Sequence, residues 1–351
     1  MRLFSTEQVS KYHPDKYADQ ISDAILDKCL TLDKSSRVAC ETMVKGNTVI
    51  LAGEITSRTK FNYGDVVQKV ARKLGYRVDS VLTYIDEQSP EIASGIGSGV
   101  DTAAGDQGMV YGYACNETDA MLPYGFDLAN RIIAAIEEDV EKNPNTILKG
   151  DAKCQVTVDL DKSPGVESVE KVLVSVCHKE GCTKHDVERL ITSKLHDLGI
   201  DYGPTDIIVN PAGLWTLGGP AADCGLTGRK IVCDQYGGYC PVGGGAFSGK
   251  DPSKVDRSGA YMARKIACDI LQKYEGVEWA EVQLAYAIGI ARPMSIHVQT
   301  NSGKAFDEMA AAWIEKDYDL TPVGIIESLN LLHENYERLA EGCHYRYGGW
   351  V

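Results

Sequence analysis

The sequence contains no long apolar run and no overall excess of positive charge. No stretch of its 351 residues approaches the length of a membrane span, and residues 1–6 lack the apolar region of a secretory signal peptide. Asp and Glu outnumber Lys and Arg by 50 to 36, which gives a formal net charge of −14, whereas nucleic-acid binding needs a broad basic face. We therefore expect a cytoplasmic protein with neither a membrane nor a nucleic-acid partner.

Disulfide and zinc motifs are also missing. The eleven cysteines include no Cys-x-x-Cys pair, and the spacing of the closest two, Cys177 and Cys182, suits neither a zinc site nor a redox motif. Free thiols in a reducing compartment explain them best. The composition is otherwise typical of a globular protein, and the length allows two or three domains.

The most distinctive feature that is present is a glycine-rich stretch, residues 243–256. Four glycines in its first seven residues allow backbone N–H groups to face an anion, and Lys250 and Lys254 add positive charge. Asp251 and Pro252 predict the start of a helix, whose positive dipole end would point at the loop. The stretch predicts a phosphate site, with a plain structural turn as the alternative.

This stretch departs from a P-loop. Gly244, Gly249 and Lys250 fit the P-loop spacing, but Asp251 replaces the Ser or Thr that holds magnesium. The preceding residues 234–241 contain glycine and proline and do not predict the strand that a P-loop requires. The stretch therefore fits a P-loop-like phosphotransferase, which would release ADP, less well than it fits a phosphate site of another kind.

The chain repeats one structural pattern three times. Hairpins are predicted over residues 37–56, 153–178 and 280–300, each with an amphipathic helical pattern before and after it. Hairpins exclude a purely parallel, doubly wound sheet. We predict an α+β fold of three similar domains, each an antiparallel or mixed sheet covered by helices. The predicted domains, between which segments can interchange, are residues 1–100, 103–218 and 219–351.

Charged side chains begin the first predicted helix. His13, Asp15 and Lys16 offer an imidazole, a carboxylate and an ammonium group to a nucleotide and its metal, and a capped helix start is the simpler alternative. The acids that follow at four-residue steps predict a solvent-facing side of this helix, at Asp19, Asp23 and Asp27.

Further polar residues occur in the first half of the chain. Glu41 and Glu54 lie on facing strands of the first predicted hairpin, where two carboxylates either bind a cation or are simply solvated. Residues 93–100 are rich in glycine and predict either a mobile lid or a linker. Asp106 and Gln107 lie between glycines, which is unusual for residues that only pack.

Two more groups combine charge with glycine. Asp151 and Lys153 share one side of a predicted strand because alternate strand residues face the same way. Residues 225–230 form a second glycine loop that ends in a basic pair, before a predicted strand at Ile231. Two basic glycine loops and several acids together predict binding of a polyphosphate nucleotide with magnesium.

These motifs resemble those of S-adenosylmethionine synthetase (methionine adenosyltransferase). The resemblance covers nearly the whole chain and is most specific in the glycine-rich stretch. It rests on residues 13–16, 39–42, 53–56, 105–108, 116–119, 225–230 and 243–258. It implies three similar α+β domains about a pseudo-threefold axis, in a homotetramer built from dimers whose active sites are shared by two subunits.

The resemblance also implies a reaction. The sulfur of methionine attacks C5′ of ATP and expels triphosphate, which is then hydrolysed to pyrophosphate and phosphate. A thioether has no proton to remove, so the reaction needs alignment and neutralisation of a departing polyanion and no nucleophile-activating base.

Individual roles follow from the same resemblance. The expected catalytic contacts of the triphosphate are His13, Lys153, Arg229, Lys230 and Lys250. The other expected ATP contacts are Asp151, Leu214, Trp215, Asp223 and Ala246. Methionine is placed by Glu54, Gln88, Asp223 and Lys254. Two Mg²⁺ ions per site are expected, with Asp15 and Asp256 as ligands, and K⁺ is expected at Glu41. The expected gating loop contains Gln88, Ser94, Gly95, Gly97 and Gly99, and Asp106 is a further site residue.

The chain departs from the family pattern at several positions. Lys11 and Tyr12 replace Glu-Gly, Ala103 replaces a glycine, and Leu214 and Trp215 replace Arg-Phe. Residues 214–217 also have the pattern of a strand, so Trp215 either stacks on adenine or packs in a core. A nonenzymatic ATP-binding homologue would require the loss of a phosphate ligand, and none of the expected lysines is missing.

Overall fold

The computed structural model describes residues 1–87, 103–201, 203 and 205–347. The strands are β1 (Leu3–Val9), β2 (Arg37–Lys45), β3 (Thr48–Thr56), β4 (Ser80–Asp86), β5 (Gly108–Cys115), β6 (Leu148–Asp159), β7 (Val169–His178), β8 (Asp206–Val209), β9 (Gly225–Leu226), β10 (Trp279–Tyr286) and β11 (Ser295–Thr300). The helices are α1 (Pro14–Leu32), α2 (Tyr63–Lys73), α3 (Tyr124–Lys142), α4 (Lys184–Asp197), α5 (Ile231–Asp234), α6 (Val255–Lys273), α7 (Lys304–Asp317), α8 (Pro322–Ser328), α9 (Tyr336–Leu339) and α10 (His344–Tyr347).

The predicted threefold pattern is confirmed. The hairpins β2–β3, β6–β7 and β10–β11 form, each preceded by a long helix (α1, α3 or α6) and followed by a shorter one (α2, α4 or α7). The strands make three open sheets, which we call the first sheet (β4-β3-β2-β9), the second sheet (β1-β6-β7-β8) and the third sheet (β11-β10-β5). The mixed α+β class expected from the sequence is therefore correct.

Each sheet also contains a strand from a distant part of the chain. β1 pairs with β6 in the second sheet, β5 pairs with β10 in the third, and β9 pairs with β2 in the first. β4 and β8 add to their sheets in parallel, so the first and second sheets are mixed. The pairing of β9 with β2 carries the loop that follows β9 to the start of α1.

The described helices α1 and α2 cover one face of the first sheet. Val38, Cys40 and Val44 of β2 are buried toward the core that contains α1 and α2, whereas Glu41 and Met43 on the opposite face are exposed. The alternation of β2 places these two sets on opposite sides of the sheet. Within the part of the chain that the structure describes, the other face of this sheet is left open.

Three local predictions are wrong. α6 begins at Val255 and not at Asp251, because the Asp251 carboxylate instead accepts hydrogen bonds from the N–H and the hydroxyl of Ser253, at 3.0 and 2.5 Å, and closes a turn. Ile231 starts the short helix α5 and not a strand. Residues 214–217 form no strand within the described chain. Separately, none of the helices in the described ranges is both long and apolar enough to cross a membrane.

Candidate functional site

The start of α1 positions His13 and Asp15. His13 is the N-cap of the helix, and its Nδ1 accepts a hydrogen bond from the backbone N–H of Asp15 at 3.1 Å. Burial, together with the charges of Lys230 and Lys153, lowers the pKa of His13 to about 3. The imidazole is therefore neutral near pH 7, and because Nδ1 accepts, Nε2 carries the proton and can donate.

Asp15 is held by the loop that follows β9. One of its carboxylate oxygens accepts the N–H of Leu226 at 2.9 Å, and the other accepts the ammonium group of Lys230 at 2.6 Å. The guanidinium of Arg229 lies 3.5 Å from the same carboxylate. Burial alone would raise the pKa of Asp15, but the hydrogen bonds from Lys230 and Leu226 outweigh it and keep the pKa below its usual value.

A second lysine–carboxylate pair closes the glycine-rich loop. The ammonium group of Lys250 donates to the carboxylate of Asp256 in the first turn of α6. A Cβ at Gly245 would overlap the ends of both side chains, so the backbone of the loop lies directly against this pair. The two glycine loops meet here, because a Cβ at Gly228 would overlap the side chain of Ala246.

Asp151 lies at the other end of the site, near His13. One carboxylate oxygen accepts the N–H of Gly219 at 2.6 Å, and the other is buried without a hydrogen-bond partner among the residues that the structure describes. Burial raises the pKa of Asp151 to about 6, against the opposing effects of Gly219 and Lys153. A cavity of about 690 Å³ adjoins Asp151 and is lined also by Tyr12 and Gly218. This is the part of the site with room for a nucleoside and an unsatisfied acceptor.

Leu214 and Trp215 lie in irregular chain near this cavity. The backbone of Trp215 is tied to the end of β7, since its N–H donates to His178 Nε2 at 3.1 Å and its carbonyl accepts the His178 N–H at 2.9 Å. The indole N–H donates to the carbonyl of Leu217 at 2.7 Å. Leu214 is 62% exposed, and Trp215 is half-buried outside both core clusters.

The remaining predicted residues lie on exposed surface or engage other groups. Glu41 and Glu54 are on the open face of the first sheet, and burial, with the charge of Glu54, raises the pKa of Glu41. The ammonium group of Lys254 donates to Asp251. Asp106, Lys153 and Asp223 are exposed. Gln88, Ser94, Gly95, Gly97 and Gly99 lie outside the described residues.

Two expectations for α1 are wrong. Lys16 faces no open site, because it is fully buried between Asp19, at 3.1 Å, and Asp234, at 2.5 Å. Asp19 and Asp23 are also fully buried, although their spacing predicted a solvent-facing side. The signal that was missed is that the core residues Ala18, Ile21 and Ala24 alternate with these acids, so the helix has no wide polar face.

The described residues contain no metal site built entirely from protein side chains. Across residues 1–87, 103–201, 203 and 205–347, no group of three or more His, Cys, Asp or Glu side chains has the geometry to hold an ion. Mg²⁺ characteristically binds one or two carboxylates and completes its shell with water and substrate phosphates. Asp15 and Asp256 fit that donor set.

The comparisons with known proteins all identify the same family. Residues 1–98, 101–215 and 217–348 match the N-terminal, central and C-terminal domain models of S-adenosylmethionine synthetase. The chain is 40% identical to the S-adenosylmethionine synthase of Brachyspira hyodysenteriae, over 97% of this chain and 92% of that protein. It is 41% identical to the S-adenosylmethionine synthase of a Nitratiruptor species, over 98% of this chain and 92% of that protein. A structure described as an unusual S-adenosylmethionine synthetase from Campylobacter jejuni superposes with a TM-score of 0.88 at 34% identity, covering 97% of this chain and 94% of that one.

Proposed function

The chain belongs to the S-adenosylmethionine synthetase family, and we propose that it transfers the adenosyl group of ATP to the sulfur of L-methionine. As a member of this family it is an enzyme that forms S-adenosylmethionine. The mechanism rests on the contact between the two basic glycine loops. One lysine of each loop pairs with a carboxylate, Lys230 with Asp15 and Lys250 with Asp256. We propose that the triphosphate of ATP binds across these pairs.

The reaction requires positive charge beside the leaving triphosphate and does not require a general base. The sulfur of methionine attacks C5′, the bond from C5′ to the bridging oxygen breaks, and the triphosphate leaves with the electron pair. The sulfur has no proton, so no residue has to accept one. His13 donates through Nε2–H, and Lys153, Arg229, Lys230 and Lys250 oppose the charge that develops on the leaving group. The triphosphate is then hydrolysed to pyrophosphate and phosphate in the same site.

Asp15 and Asp256 are the proposed magnesium ligands. Each is a buried carboxylate that pairs with a lysine, and Asp15 also has Arg229 nearby. Bound magnesium would neutralise part of the triphosphate charge and orient it. Lys230 and Lys250 would then be free to contact phosphate oxygens in place of Asp15 and Asp256. Glu41 is the proposed K⁺ ligand, since the neighbouring Glu54 adds negative charge there.

A second copy of the chain is the proposed partner that completes the site. On the open face of the first sheet, Met43 is 38%, Leu82 42% and Tyr84 66% exposed. Strand pairing places Tyr84 in the same row as Glu41, through Ala52, with the row of Met43 and Leu82 on one side of it and the row of Glu54 on the other. An apolar sheet face that carries proposed ligands is costly to leave in water. We propose a homodimer through this face, with shared active sites, that pairs into a homotetramer.

A methionine and ATP assay tests the function. With magnesium present, we expect S-adenosylmethionine, pyrophosphate and phosphate, identified by mass spectrometry and phosphorus NMR. A reaction without methionine is the control for simple ATP hydrolysis. If ADP is the main product, or if no sulfonium compound forms, the proposed function is wrong and the phosphotransferase interpretation gains support.

Sedimentation velocity tests the interface. The chain of 38.2 kDa should sediment as a dimer or tetramer, and Tyr84→Lys should shift it toward the single chain, because the ammonium group would be buried at the contact. Val166→Lys, which changes an exposed apolar residue between β6 and β7, is the matched control and should have no effect. A parent protein that sediments as one chain would contradict the interface.

A further inference from the structure

One face of α1 carries four carboxylates at four-residue steps, which we call the carboxylate row. The row consists of Asp15, Asp19, Asp23 and Asp27. Residues four apart lie above one another on a helix, and the first three of these are fully buried. A buried carboxylate must be paired with donors, so each member of the row fixes the position of the groups that it binds.

The two middle members of the row hold the two glycine loops. Asp19 accepts the N–H of Gly228 at 2.8 Å, directly before the basic pair of that loop. Asp23 accepts the N–H of Gly249 at 2.8 Å, directly before Lys250. The cations proposed to contact the triphosphate therefore follow backbone atoms that are tied to one helix.

An ion pair strengthens the attachment at Lys250. Arg257 of α6 binds both oxygens of Asp23, at 2.7 and 2.8 Å, and it also donates to the carbonyl of Lys250 at 3.1 Å. The Asp23–Arg257 pair thus holds the chain on both sides of the Gly249–Lys250 junction. Gly249 has φ +82°, and a Cβ there would overlap the carbonyl oxygen of Cys40, so the backbone has little room to shift.

We propose that Asp23, through its ion pair with Arg257, is a positioning residue that holds Lys250 at the triphosphate site. The inference rests on the proposed function, because it takes Lys250 as a contact of the leaving triphosphate. Asp23 is fully buried, and its hydrogen bonds within the described residues are to Gly249 and Arg257. A cation stabilises a transition state without reorganisation only if its position is fixed beforehand, so loss of the pair should lower kcat more than it changes the KM for ATP.

A double-mutant cycle with Asp23→Asn and Lys250→Ala tests the proposal. Asp23→Asn should lower kcat by at least about tenfold in the parent chain. In the Lys250→Ala background it should lower kcat by less than about twofold, because no ammonium group is left to position. All rates are measured at a temperature at which circular dichroism shows every variant folded. An equal loss of kcat in both backgrounds would mean that Asp23 is merely structural and would overturn the proposal.

Asp27 of the same row provides the matched control. Its two oxygens accept the N–H groups of Tyr336 and Glu337 at the start of α9, at 3.0 and 2.8 Å, and neither glycine loop is involved. Asp27→Asn should lower the melting temperature and change kcat by less than about twofold. A loss of kcat as large as that of Asp23→Asn would contradict a specific role for Asp23.

A second variant is needed if Asp23→Asn does not fold, because that substitution leaves the buried guanidinium of Arg257 without its carboxylate partner. Arg257→Lys keeps the charge but removes the paired contact with Asp23 and the bond to the carbonyl of Lys250. The same non-additivity with Lys250→Ala is expected. If Lys250→Ala alone leaves kcat unchanged, the proposed role of Lys250 fails and the positioning role with it. If Lys250→Ala lowers kcat and the effects are additive, only the positioning role fails.

Discussion

Lys250→Ala should lower kcat by about two to three orders of magnitude in a chain that remains folded. A preorganised donor to developing negative charge contributes about 2.7–4 kcal/mol to transition-state stabilisation. The Lys250 ammonium group is at the surface of the site, 21% exposed and paired with Asp256, so its removal takes no apolar packing from the core. Steady-state kcat at saturating ATP and methionine, together with a thermal melt, measures both effects.

Lys265→Ala is the matched control for this prediction. Lys265 also pairs with an aspartate, Asp269, and lies on α6, away from both glycine loops. Its removal should leave kcat within about twofold of the parent value, because this partly exposed pair contacts neither glycine loop. An unchanged kcat in folded Lys250→Ala would remove Lys250 from the site and leave the proposed charge neutralisation without its central residue.

The parts of the fold that sequence reasoning predicted are those whose partners are close in the chain. β2 and β3 pair across two residues, Gly46 and Asn47, so alternation and turn residues identified them. β9 and β5 were not predicted, because β9 has only two residues and both strands pair with segments far away in sequence. A two-residue strand carries too little local pattern to be detected, and the local sequence of β5 does not indicate its distant partner.

Long separation in sequence also limited the prediction of the site. Motifs identified His13 and Asp15, and the structure brings Lys230 to Asp15. Asp23 was interpreted as solvent-facing because its partner Arg257 is 234 residues away, and a carboxylate without a known partner is expected in water. The individual site roles, the domain boundaries and the gate remain predictions, and the gate lies outside the described residues.

Trp215→Ala should raise the KM for ATP about 5- to 150-fold and leave the KM for methionine and the melting temperature nearly unchanged. Stacking of a base on an aromatic ring contributes about 1–3 kcal/mol in single-strand nucleic-acid binders, where each 1.4 kcal/mol is tenfold. The backbone of Trp215 is tied to His178 through two hydrogen bonds, so the loop should keep its place when the ring is removed. Because the neighbouring Leu214 is 62% exposed and cannot donate a hydrogen bond, adenine recognition here should depend on the ring face.

Two further variants separate stacking from packing at Trp215. Trp215→Phe keeps an aromatic face and loses only the indole bond to the carbonyl of Leu217, so it should restore most of the affinity for ATP. Val166→Ala removes a side chain that is 44% exposed between β6 and β7 and does not line the cavity, so it should leave the KM for ATP unchanged. Core packing makes the opposite prediction for Trp215→Ala, a lower melting temperature with normal ATP binding. A variant that melts well below the parent and binds ATP normally would show that Trp215 supports the loop and does not contact adenine.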